Sequence, residues 1–142
     1  MFIAKQGGYF EIPEPSLNDE NFHLSYYLYG NIDFIPSTKE IENEISNFIN
    51  KNLLFCVNYF EEFKKIGFEF EYGNINTNTI LKKEDVSFNV NFPLTVKKEN
   101  SIQQIEDFVV NIEDIPLRTI NNVSKEIINL QLQEPNSICL SC

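Results

Sequence analysis

The chain has 142 residues, 21 of them acidic and 11 basic, for a formal net charge of −10. That length fits one domain whose core needs neither disulfides nor metal, and at 42% hydrophobic residues the chain is too apolar for intrinsic disorder. The acidic balance argues against a nucleic-acid binder, which requires clustered Lys and Arg, and against attraction to anionic lipid. No apolar stretch approaches the ~20 residues of a membrane span.

From the N-terminus, Gly7-Gly8 gives a flexible entry to Tyr9-Phe10-Glu11-Ile12, which reads as a short strand. Pro13, Pro15 and the polar run Ser16 to Asn21 read as a loop. His23 to Tyr29 is aromatic and reads as a second strand, closed by the turn pair Gly30-Asn31.

The clearest helix follows Ile35-Pro36-Ser37. Ser37 with Glu40 fits a capping box, in which each side chain satisfies an orphan N–H of the other residue's backbone. Ile41, Ile45, Ile49, Leu53, Cys56, Phe60 and Phe63 recur every three or four residues, which predicts one apolar stripe ending at Gly67, a helix of roughly seven turns. Cys56 is thereby expected in the core.

Phe68, Phe70 and Tyr72 then alternate with Glu69 and Glu71, and after Gly73 the parity changes to Ile75, Thr77 and Thr79, which predicts a bulge at the glycine. Lys82 to Asp85 is a polar turn. Val86, Phe88, Val90, Phe92, Leu94 and Val96 keep a period of two, and Pro93 within that run belongs at an edge, a bulge or a kink because it cannot donate to the ladder. After the turn at Lys97 to Ser101 a third strand is irregular until Phe108, Val110 and Ile112. Pro116 opens a second helix with the apolar stripe Ile120, Val123, Ile127 and Leu130, stopped by Pro135. The expected class is therefore α+β: a long helix packed on a three-stranded antiparallel meander, a second helix C-terminal to it, and short N-terminal strands. Residues 1–35 form the N-terminal strands and loops, 36–135 the helix–meander–helix body of the same domain, and 136–142 a tail that reads as cut from a longer chain.

Few residues carry a chemical signature. Cys139 and Cys142 are the candidate redox or disulfide pair, but a thioredoxin-like motif needs a strand before it and a helix after it. A structural zinc site needs four ligands, and His23 is the single histidine. The carboxylates are distributed over a helix start and strand faces rather than converging, so no catalytic residue, metal or cofactor is assigned. Tyr9, Tyr26, Tyr27 and Tyr29 gather in the first thirty residues and are the candidate interface, since tyrosine offers apolar area and a hydroxyl together.

Three segments, Gln6-Gly7-Gly8-Tyr9-Phe10-Glu11-Ile12-Pro13, Asn89 to Val96 and Glu134 to Cys142, carry a resemblance over most of the chain. The chain resembles a group of uncharacterised proteins from small-genome archaea, longer chains with an N-terminal hydrophobic anchor similar to pilin-type segments. The resemblance implies an extracytoplasmic, membrane-anchored location with the anchor missing here, and no activity that could be transferred. The leading expectation is a non-enzymatic domain working through protein partners, surface contacts or self-association. The alternatives are a small-ligand-binding α+β roll, with Phe60, Phe88 and Phe92 lining a pocket, and a cytoplasmic protein.

Overall fold

The computed structural model describes residues 6–20 and 23–135. The fold is α+β. Two small antiparallel pairs open the chain: β1 (Ser16–Asn18) with β2 (His23–Ser25), and β3 (Leu28–Tyr29) with β4 (Ile32–Asp33). Helix α1 (Thr38–Cys56) comes next, then a 3₁₀ turn (Asn58–Phe60) and the single-turn α2 (Glu61–Lys64). The main sheet is built from β5 (Glu69–Tyr72), β6 (Asn76–Leu81), β7 (Val86–Lys98) and β8 (Ser101–Ile112), and α3 (Leu117–Gln133) follows it.

The sheet is the predicted meander with its first strand divided. β5 and β6 both pair antiparallel with one side of β7, at Glu69↔Lys97 to Tyr72↔Leu94 and at Asn76↔Asn91 to Leu81↔Val86, while β8 pairs antiparallel along the other side over its whole length, Val86↔Ile112 to Lys98↔Ser101. The division falls at Gly73, whose N–H donates to the Pro93 carbonyl at 2.8 Å. A Cβ on Gly73 would lie 3.3 Å from the Pro93 ring, so glycine permits this close crossing. The β7–β8 register also shifts between Asn91 and Leu94, which accommodates Pro93 in a central strand without a missing ladder bond. Both irregularities were legible from parity and proline placement.

The N-terminal segment departs from expectation. Tyr9 to Ile12 is not a strand, and Ser16 to Asn18, read as loop, is one. The arm takes its main-chain partners from α1 instead: the N–H groups of Phe10 and Glu11 donate to the Glu44 carboxylate at 2.8 and 3.2 Å. Phe10 packs edge-on against Phe48, with ring centroids 5.2 Å apart, and Gly8 sits at φ +91° beside Ile41 and Pro36. Alternation alone cannot distinguish such a segment from a strand, because what sets them apart is a tertiary partner, here the Glu44 carboxylate instead of a neighbouring strand. His23 to Tyr29 is likewise two short strands, interrupted at Tyr26-Tyr27.

Ser37 caps α1 as predicted, accepting from the Glu40 N–H at 3.1 Å while the Ser37 N–H donates to the Glu40 carboxylate at 2.6 Å. These bonds, the side-chain one first, hold the Glu40 carboxyl below its ordinary value of 4.5. A depressed folded-state value means that the cap's contribution is present above the ordinary value and is lost as pH falls through the folded one. Urea melts of the wild type and Glu40→Ala should therefore separate at pH 7 and draw together as the pH falls below the ordinary value of 4.5; an unchanged separation on acidification would refute the cap as the origin of the shift.

Helix α1 ends at Cys56, well short of Gly67. Asn58, Tyr59 and Phe60 take φ values of 47°, 49° and 62°, a left-handed run at odds with the seven-turn helix. Asparagine tolerates this region, but for the two aromatic residues it costs about 1–2 kcal/mol each. Phe60 is thereby turned under the sheet, where its ring stacks on Phe70 at 4.5 Å. Cys56, expected in the core, is exposed, because the stripe stops being helical just beyond it.

The core forms two adjoining clusters. Ile41, Ile45, Leu81 and Val86 make one, with Phe48, Ile49 and Phe88 against it. Val90, Phe92 and Leu94 make the other, with Leu53, Phe60, Phe70 and Phe108 packed around it. On the opposite side of the sheet, Asn76 pairs across the strands with Asn91 and Asn78 with Asn89, a polar centre flanked by the exposed Ile80 and Val109.

Candidate contact surface

Where α1 lies determines what the sheet leaves open. Its Glu42, Ser46 and Asn50, spaced four apart on one flank, meet the outer edge of β6. Glu42 Oε1 accepts from the Leu81 N–H at 2.9 Å, Ser46 Oγ from Thr79 at 3.1 Å, and Asn50 Oδ1 from Thr77 at 2.9 Å. Side chains one helical turn apart thus match alternate residues of an extended strand. This ladder fixes α1 over β6 and the near half of β7, so among the described residues β8 has no helix above it.

The uncovered strip is an apolar groove of about 300 Å³ lined by Leu53, Val57, Phe60, Phe92, Phe108 and Val110, together with Val90 and Leu94. Beside it, Val110 is 48% and Ile112 42% exposed. Of the phenylalanines expected to line a pocket, Phe60 and Phe92 do, while Phe88 packs between the two core clusters.

Helix α3 presents a second open surface. Pro116 caps its start as anticipated, and Asn121, nearly fully buried, donates to the Pro36 carbonyl at 2.9 Å. Thr119 donates to the Lys83 carbonyl at 2.8 Å. Anchored in this way, the helix turns Leu117, Ser124, Ile128 and Leu132 toward partial burial. The stripe expected to pack, Ile120, Val123, Ile127 and Leu130, is 56, 49, 46 and 56% exposed. The cause is the buried Asn121, a polar residue on the flank that hydrophobicity alone would have turned outward.

The four candidate tyrosines divide into two pairs. Tyr27 donates to the Gly7 carbonyl at 2.7 Å and Tyr9 to the Phe34 carbonyl at 3.3 Å, so both hold the N-terminal arm in place. Burial raises both phenol pKa values, reinforced at Tyr9 by the Glu40 charge. Tyr26 and Tyr29 form a separate pair, with ring centroids 5.4 Å apart, and Tyr29 is 56% exposed. Of the four, Tyr29 is the exposed one.

Cys139 and Cys142 lie outside the described residues. Among the described residues no three His, Cys, Asp or Glu side chains gather as metal ligands, and no helix is long and apolar enough to cross a membrane. His23 stands in β2, its Nε2 3.4 Å from Ser16 Oγ. The groove was anticipated only as the pocket of the ligand-binding alternative, and the open flank of α3 was not found from sequence. The one available signal was the weak alternation of Ser101 to Asp107, which marks a strand with no consistently buried face.

No family model, curated protein or solved structure matches the chain.

Proposed function

We propose that the chain is a non-enzymatic extracytoplasmic domain of an anchored archaeal envelope protein, working through protein or surface contacts. The contact part of this reading is carried by α3, whose stripe of Ile120, Val123, Ile127 and Leu130 faces outward at about half exposure each. Four such side chains in line form a contiguous exposed apolar row along the helix. Their spacing of three, four and three residues is that of helix anchors seated in a partner's groove. The location rests on the resemblance of the three segments quoted above.

Fractionation of the native cells tests both parts. The protein is expected in the membrane fraction, in a complex larger than its own monomer, and Val123→Glu with Ile127→Glu should reduce that complex to monomer without changing the circular dichroism spectrum. A purely soluble, monomeric protein would overturn the reading. The groove favours one alternative, the binding of a small apolar ligand, because its lining is wholly apolar and its volume of about 300 Å³ reaches the lower range of ligand pockets.

A further inference from the structure

The chain treats the two outer edges of its sheet differently. On the β6 side three main-chain N–H groups end on Glu42, Ser46 and Asn50, so a helix closes that edge. On the other side β8 pairs only with β7, and among the described residues nothing bonds to its outer main chain. β8 is 12 residues long and contains no lysine, arginine or proline; its charges are Glu106 and Asp107 alone, beside the register shift against β7. A long free edge beside an apolar groove is a template for strand addition.

Charge indicates what can occupy it. Glu106 and Asp107 stand at mid-strand with no basic residue anywhere in β8. Pairing β8 antiparallel with a second copy over its full length sets Glu106 against the copy's Asp107. Slipping by one residue sets Glu106 or Asp107 against its own equivalent. Like charges directly opposite destabilise a ladder, and the net charge of −10 on each chain adds to the repulsion. A strand with basic residues at its centre meets the opposite condition. Because Phe108 and Val110 already line the groove, the apolar side chains of an added strand would extend that wall over an area α1 does not reach.

We propose that the outer edge of β8 docks an extended segment of another protein, apolar in alternation and carrying Lys or Arg opposite Glu106 and Asp107. This rests on the reading of the chain as a contact domain and specifies its partner's chemistry.

The test uses the full chain and three labelled 12-residue peptides of alternating valine and threonine: one with Lys-Arg at its centre, one with Glu-Glu there, and one with Lys-Arg flanked by prolines. Fluorescence anisotropy should show the Lys-Arg peptide binding about tenfold more tightly than the Glu-Glu peptide, and the proline peptide losing at least that much, since it cannot form the ladder. The double variant Glu106→Lys, Asp107→Lys, altered only at exposed positions, should reverse the preference. Equal binding of the Lys-Arg and proline peptides would reduce the effect to diffuse electrostatics and overturn the proposal, as would an unchanged preference in the double variant. Should no peptide bind, while light scattering shows a dimer that Val109→Pro abolishes, the occupant is a second copy. This inference then falls and the contact reading stands. Should neither peptide nor copy engage, the inference falls, and the fractionation experiment decides the contact reading separately.

Discussion

Replacing Ser46 with alanine is expected to destabilise the fold by roughly 2–4 kcal/mol, because two buried groups lose their partner and each costs about 1–3 kcal/mol unpaired. The Ser46 hydroxyl donates to the Glu42 carbonyl at 2.8 Å, accepts from the Thr79 N–H at 3.1 Å and lies 2.9 Å from the Thr79 hydroxyl. Thr79 is 1% exposed, so no water can replace the lost bond. Thr79→Val removes one hydroxyl but leaves the N–H bond intact, and should cost about 1 kcal/mol, the net value of an ordinary hydrogen bond. Urea unfolding of the two variants checks the order. A Ser46→Ala change costing no more than Thr79→Val would show that the helix-to-edge ladder contributes little. Hydrogen exchange adds a local readout: the amides of Thr77, Thr79 and Leu81 should lose protection together if the ladder acts as a unit.

Phe92→Ala should have an effect at least as large, about 3–5 kcal/mol, the usual range for a truncated core phenylalanine. Phe92 is 4% exposed and its ring lies within 6.5 Å of Phe60, Tyr72 and Phe108. It also lines the groove, so its removal deepens an apolar recess already open to solvent. Two measurements should then move in opposite directions. The urea midpoint falls, while binding of an apolar dye such as 1-anilinonaphthalene-8-sulfonate to the folded protein rises. A fall in stability with no gain in dye binding would mean that the recess collapses, which would count against the small-ligand alternative.

The legible and illegible parts of this chain differ in where their determinants lie. The capping box at Ser37 and Glu40, the alternation from Val86 to Val96 and the bulges at Gly73 and Pro93 are written in neighbouring residues, and sequence spacing recovered them. The end of α1 was hidden because Phe60 and Phe63 continue the three-and-four spacing past the point where the backbone turns left-handed. Helix α3 has apolar residues on two flanks, and burial of Asn121 against Pro36, far away in sequence, selects Leu117, Ile128 and Leu132 over the stripe that spacing favoured. The tyrosine cluster was half informative, since two of its hydroxyls have carbonyl partners inside the fold. The groove exists only because a hydrogen-bonded ladder positions α1 over β6, a tertiary fact with no local signature.

The topology of the meander also bears on how the molecule comes together. β6 and β8 each pair with β7, their neighbour in the chain, through the short turn at Lys82 to Asp85 and a two-residue hairpin between Lys98 and Ser101. Closing these connections requires little chain entropy, so the hairpins can assemble early and at low contact order. Helix α1 bonds to β6 across 27 to 39 residues, and its docking must therefore wait for the strand that receives it. Until then both edges of the nascent sheet stand open. Arrival of Glu42, Ser46 and Asn50 covers the β6 edge, so the docking of α1 is also the step at which a folding chain reduces its exposure to misassociation.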